Sequence, residues 1–113
     1  MKILILEDSP ERQEKFARAL RGHMMAFVDT ARDAILFLQD DKFDTVFLDH
    51  DLGGQVMVES GDGTGYEVAC WLEQHPEHRP KQIIIHSLNP SGAARMKQAL
   101  PCATVLPAAW DRI

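Results

Sequence analysis

The sequence predicts one α/β domain, a doubly wound parallel sheet of five strands with helices on its two faces. Three observations carry this. Short apolar runs alternate with longer amphipathic stretches from one end of the chain to the other, the succession expected of strand–helix–strand units joined by right-handed crossovers. The runs at 3–6 and 83–85 are apolar at every position, which suits strands covered on both faces. At 113 residues, 45% of them hydrophobic, the chain holds one domain over 1–113, and a chain of this size buries roughly 65% of its unfolded surface without needing a staple.

The elements follow in order. Residues 3–6 form the first strand and end in Glu7 and Asp8. Ser9 fits an N-cap and Pro10 the first helical position, and Phe16, Ala17 and Leu20 give a helix over 10–21 a narrow apolar stripe that stops at Gly22. Residues 24–28 are the second strand. Thr30 with Asp33 is a cap signal, and Ala31, Ala34, Ile35 and Leu38 have the i, i+3, i+4, i+7 spacing of a second helix. Residues 45–48 form the third strand, which ends in Asp49, His50 and Asp51. A polar loop with Gly53, Gly54, Gly61, Gly63 and Gly65 follows, and its length of about a dozen residues marks it as functional rather than a plain connection. Thr64 and Glu67 have capping-box spacing for a third helix that carries Val68, Ala69 and Leu72 inward and stops before Pro76. Residues 83–85, the most apolar run, read as the central strand and end in His86 and Ser87. Asn89 and Pro90 start a fourth helix through about Leu100, and residues 104–106 are the fifth strand.

Only seven residues follow Leu106, so the last helix of a full doubly wound unit is missing. One face is then covered mainly by the helix over 10–21. Its apolar strip predicts either a homodimer through that face or a lid formed by the tail around Trp110.

Composition excludes several partners. Lys plus Arg is 12 against 17 Asp plus Glu, a net charge of −5, and no basic run follows a phosphate backbone, so duplex nucleic acid is not an expected ligand. No stretch has the ~20 apolar residues of a membrane span. The first residues lack a signal-peptide core. Cys70 and Cys102 form no CxxC and read as small core residues of a cytoplasmic, reducing compartment.

In open parallel sheets ligands bind beyond the carboxyl ends of the strands. With strand order 2-1-3-4-5, the ends of the first, third and fourth strands are neighbours. Glu7, Asp8, Asp49, His50, Asp51, His86 and Ser87 then gather in one pocket.

The acidic pair Glu7 and Asp8, the strand running from Phe43 to Asp49, and Ser87 after the fourth strand resemble the receiver domain of two-component response regulators. That resemblance implies a flavodoxin-like fold, magnesium held by the acidic pair and phosphorylation of Asp49. A receiver also carries a lysine at the end of its fifth strand, where this chain has Leu106 and Pro107. The segments from Leu48 to Gly53, Thr64-Gly65-Tyr66, and from His86 to Pro90 with Gly92 and Met96 are similar to a divergent branch, the cyclic-phosphate processing receiver domains. Membership there implies action on a cyclic phosphodiester, with histidines beside the receiver acids.

The residue chemistry suits such a reaction. Histidine is the side chain whose ordinary pKa lies near neutrality, so His50 and His86 are the candidate general acid and base, in either order, with Asp49 beside them. Ser87, Asn89 and Ser91, with the N-terminus of the following helix, are candidate phosphate donors, and Arg95 is a weaker clamp. Four carboxylates, Glu7, Asp8, Asp49 and Asp51, would repel an anionic substrate. Either some of them only orient the histidines, or they hold a divalent cation, Mg2+ or Mn2+ by their oxygen chemistry, and the cation is favoured. The expected ligand is a small phosphate ester or cyclic nucleotide. The alternative function is a phosphoacceptor or ligand-sensing signalling module without catalysis. His23, His75 and His78 lie in turns or at helix ends and receive no role.

Overall fold

The computed structural model describes residues 1–112. Its elements are β1 (Lys2–Leu6), α1 (Pro10–Ala19), β2 (Met24–Val28), α2 (Ala31–Asp40), β3 (Thr45–Leu48), α3 (Gly65–Gln74), β4 (Gln82–Ile85), α4 (Pro90–Ala99) and β5 (Thr104–Val105), with single 3-10 turns at Pro76–His78 and Ala109–Asp111. All strand pairs are parallel and the order is β2-β1-β3-β4-β5, the doubly wound arrangement expected. Two expectations need correction. β3, not β4, is the central strand, and the apolar run of β4 reflects cover on both faces rather than position. β5 is shorter than expected, only Thr104 and Val105, and both are exposed because it is the sheet's edge.

The expected caps form. Ser9 Oγ accepts from the Arg12 amide, Thr30 Oγ1 from Asp33 and Asn89 Oδ1 from Gly92, each satisfying a first-turn N–H that has no helical acceptor. Glu67 reaches past Thr64 and accepts from the Gly63 amide instead. Cys70 is half-buried and Cys102 is exposed, so neither is the core residue expected.

The pleat sends alternate strand residues to two cores. Leu4, Leu6, Val46, Leu48, Ile83 and Ile85 pack against α2, α3 and α4. Ile3, Ile5, Phe47 and Ile84 pack against Phe16 and Leu20 of α1. Beside α1, where that face would lie bare, Ala109 and Trp110 close the second core. The indole meets Phe16 edge-on with ring centroids 5.5 Å apart, and Trp110 is only 9% exposed. The segment around Trp110 is therefore the lid expected over that face. Trp110→Ala should cost about 3 kcal/mol, the usual loss for a buried aromatic, read as a lower urea midpoint at unchanged slope. An unchanged midpoint would mean that the tail does not hold the α1 face closed.

No helix among the described residues is long and apolar enough to cross a membrane.

Candidate functional site

Register decides which strand-end residues meet. Leu6, Leu48 and Ile85 are level across β1, β3 and β4, so Glu7, Asp49 and His86 are the next row, and the alternation turns all three to the α1 face. The next residues of β3 and β4, His50 and Ser87, turn the other way, while Asp8 lies close enough to Asp49 for its charge to act there. The structure thus separates the one expected pocket into two clusters, back to back across the end of β3, with His86 in one and His50 in the other.

In the first cluster Glu7, Asp49 and His86 are all buried, and their ligand atoms lie within 4.8 Å of one another. His86 Nε2 stands 3.0 Å from Glu7 Oε1, and the Ser9 amide donates to Glu7 Oε2 at 3.0 Å. Burial opposes ionisation of Glu7, but the bonds from His86 and Ser9 and the charge of Arg12 outweigh it and hold the carboxyl below its usual range. An ionised Glu7 requires His86 Nε2 to be the protonated nitrogen. His86 Nδ1 is buried against the rings of Phe16 and Trp110 with no hydrogen-bond partner, and burial depresses the pKa, so the ring is neutral. Asp49 behaves oppositely. Its burial and the neighbouring charge of Glu7 raise its pKa to about 7 despite the His50 amide on Oδ1 and the Arg12 guanidinium.

Arg12 was not among the residues expected here. It lies on the first turn of α1, and helical side chains lean toward the N-terminus, so it reaches back over the strand ends. Its Nε is 3.1 Å from Glu7 Oε1 and its Nη2 3.7 Å from Asp49 Oδ2. The fifth strand brings no cation to this row. Leu106 is level with His86 and half-buried beside the second core.

Two buried carboxylates with one shared guanidinium, one of them pushed to half-protonation near neutral pH, are a donor set suited to a hard divalent cation. Glu7 and Asp49 fit that role with Asp8, whose charge also raises the Asp49 pKa. Direct ligation by His86 Nε2 fits poorly, because it would move the ring proton to Nδ1, where no acceptor exists. Asp51, expected among the metal ligands, is not brought to this row.

The second cluster holds Asp51 instead. His50 Nδ1 is 2.6 Å from Asp51 Oδ1, and His50 Nε2 is 2.9 Å from Ser60 Oγ in the glycine-rich loop. Burial works against the Asp51 charge, but His50, Asn89 and the Met57 amide bond the carboxylate and keep its pKa low. Asn89 caps α4 with Oδ1 and donates through Nδ2 to Asp51 Oδ1 at 3.0 Å and to the Val58 carbonyl at 3.1 Å. The loop is fastened at other points too: the Gly54 amide donates to Asp8 and the Met57 amide to Asp51. Both histidine rings are fully buried.

Two glycines make this packing feasible. A Cβ on Gly92 would lie 2.4 Å from His50 Cγ, and one on Gly65 would lie 1.7 Å from the Asp49 carbonyl oxygen. Beside Ser60 a cleft of about 560 Å³ opens between the loop and the start of α4, with Ser91 and Arg95 in its wall. Of the three expected phosphate donors, Ser91 and Asn89 border this cleft. Ser87 does not; its hydroxyl is buried and accepts from the Asn89 amide.

The sequence model described as the cyclic-phosphate processing receiver domain matches residues 2–101. No curated protein sequence matches the chain. Among solved structures, the Mn2+-bound response regulator Rcp1 is similar at 18% identity and a TM-score of 0.74, over 94% of this chain and 79% of that one. The response regulator TrrA of Thermotoga maritima, in complex with Mg2+ and beryllium fluoride, gives 19% and 0.74 over 98% and 90%. The receiver domain of a histidine kinase from Syntrophus aciditrophicus gives 24% and 0.72 over 93% and 76%. At these identities the likeness is one of fold.

Proposed function

Because the chain belongs to the cyclic-phosphate processing receiver domain family, we propose that it hydrolyses a small cyclic phosphodiester, a cyclic nucleotide or a 2′,3′-cyclic phosphate end, to the phosphomonoester. The observation that carries this reading is the Asp51–His50 pair buried directly behind Ser60, which bonds His50 Nε2 and lines an open cleft. An imidazole whose Nδ1 faces an ionised carboxylate has its other nitrogen available to take a proton and return it, which is the work of a general base and then a general acid. His86 is placed differently. Its protonated nitrogen is given to Glu7, and we assign it to orienting that carboxylate.

Glu7, Asp8 and Asp49 would hold Mg2+ or Mn2+. When bound, the ion supplies positive charge that lets an anionic ester approach the acidic strand ends. Arg12 keeps Glu7 and Asp49 together in the meantime, and Arg95 with the start of α4 offers the substrate a second positive boundary.

Incubation with 2′,3′-cyclic and 3′,5′-cyclic nucleotides should give phosphomonoester product with Mg2+ or Mn2+, and little after chelation by EDTA. Binding of these compounds without turnover under any metal condition would sink the hydrolase reading. The alternative, phosphate acceptance at Asp49, draws support from Arg12 beside that carboxylate. With Leu106 in place of a strand-borne cation, a small phosphodonor plus Mg2+ should leave no durable acyl phosphate. A stoichiometric, long-lived adduct on Asp49 would favour the signalling function.

A further inference from the structure

We propose that Ser60 is the nucleophile of this site, working through His50 and Asp51 as a proton relay; the assignment of substrate rests on the hydrolase reading above. The three side chains form an unbroken line, with Ser60 Oγ 2.9 Å from His50 Nε2 and His50 Nδ1 2.6 Å from Asp51 Oδ1. That is the arrangement in which a hydroxyl, weak as a nucleophile at its own pKa, is activated by a base held in place by a third group.

The neighbours fix the direction of the relay. Asn89 Nδ2 has two hydrogens, and Asp51 Oδ1 and the Val58 carbonyl take both. Asn89 Nδ2 also sits 3.5 Å from His50 Nδ1 and has no hydrogen left to give it. His50 Nδ1 therefore carries a proton and donates to Asp51, and in the neutral ring the Nε2 lone pair accepts from the Ser60 hydroxyl. The ring cannot turn to another tautomer's geometry, because Gly92 on one side and Asp51 on the other hold it.

Ser60 also faces a space where a substrate fits. It is half-buried in the wall of the 560 Å³ cleft, which Ser91 and Arg95 also line. The Ser91 amide lies in the first turn of α4 and has no helical acceptor, and the Arg95 guanidinium stands over the Tyr66 ring at 5.3 Å. Both residues line the same cleft as Ser60 and would offer donors to the oxygens of a phosphate attacked from it.

The step balances without an outside reagent other than water. Ser60 Oγ passes its proton to His50 Nε2 and bonds to phosphorus. The P–O bond to one ring oxygen breaks with its electron pair, and that oxygen takes the proton from His50. Water then gives a proton to His50 and bonds to phosphorus, and Ser60 Oγ leaves with its electron pair and recovers the proton. The sum is cyclic diester plus water to monoester.

The whole protein is treated with a reporter-tagged fluorophosphonate, on which Ser60 Oγ would displace fluoride, and digested for mass spectrometry. The tag should sit on Ser60, and labelling should fall at least 10-fold in His50→Gln. Ser60→Ala should lower cyclic phosphodiester turnover at least 10²-fold with the Mg2+ requirement unchanged. Ser60→Cys guards against a merely structural effect of Ser60→Ala. With His50 drawing off its proton, the new thiol should react with iodoacetamide faster than the exposed Cys102. Wild-type turnover in Ser60→Ala would overturn the nucleophile while leaving the hydrolase reading standing. So would a new thiol slower than Cys102 together with no fluorophosphonate tag on Ser60. Tagging of Ser60 by a protein that turns over no cyclic phosphate would overturn the substrate and keep the nucleophile.

Discussion

Replacing His50 by glutamine lowers turnover of a cyclic phosphodiester by roughly 10²- to 10⁴-fold, the usual worth of a general acid–base group. Glutamine is the informative substitution. His50 is fully buried between Asp51, Asn89 and the start of α4, so alanine would leave a hole and take one hydrogen-bond partner each from Asp51 and Ser60, and a folding defect would then mimic a catalytic one. Glutamine keeps polar atoms and most of the volume but cannot shuttle a proton near pH 7. The loss should appear in kcat, with the dependence on Mg2+ unchanged. His86→Gln should show the reverse pattern, a higher metal requirement with a smaller change in kcat at saturating metal, because that ring acts through Glu7. Equal effects of the two substitutions on both parameters would mean that the two clusters work as one site and that the faces of the sheet do not separate their roles.

Asp49→Asn stabilises the metal-free protein above neutral pH by on the order of 2 kcal/mol and abolishes metal-dependent turnover. The sign follows from proton binding. The Asp49 carboxyl titrates at about 7 in the folded chain against 3.8 for the ordinary group, so between these values the folded state holds the extra proton. Its contribution is fully present below about pH 4 and is lost as pH rises through 7. His86 acts oppositely: its depressed pKa means that the unfolded chain binds the proton first, so its contribution is gained as pH rises toward 6.5. The two trends partly cancel in the wild-type protein. Asp49→Asn removes only the first, and its advantage should grow from pH 5 to pH 8 in EDTA. Mg2+ at pH 8 should stabilise the wild-type protein and not the variant, since ligand that binds only the folded state adds to its stability. An advantage that is flat with pH would mean that Asp49 is ionised throughout and that Arg12 alone compensates it.

Much of the fold was legible because its signals are local. The caps at Ser9, Thr30, Thr64 and Asn89 and the helical spacing of Ala31, Ala34 and Leu38 are each read within one turn of chain. The site was legible only as a list of residues. Grouping Asp49 with His50 and His86 with Ser87 counted which strand ends are neighbours and left out the pleat, which sends consecutive residues to opposite faces. Arg12 reads in sequence as one more charge on an exposed helix, and only the backward lean of first-turn side chains hints at its reach. Ser60 has no period to betray it, sitting in a loop whose path depends on the distant contacts of Gly54, Met57 and Val58. β5 was overextended because Leu106 is apolar, although its side chain serves the core beside Trp110 rather than a third strand pairing.

The close approach of Gly92 to the His50 ring makes the two positions share one fixed volume. A relative with a smaller side chain at the first position has room for a methyl or more at the second, whereas one that keeps the imidazole is held to glycine three residues after the asparagine cap. The two positions should therefore vary together across the lineage, and a chain in which the glycine has been replaced while histidine remains at its partner has had to move α4 away from the sheet, widening the cleft by the width of a methyl group.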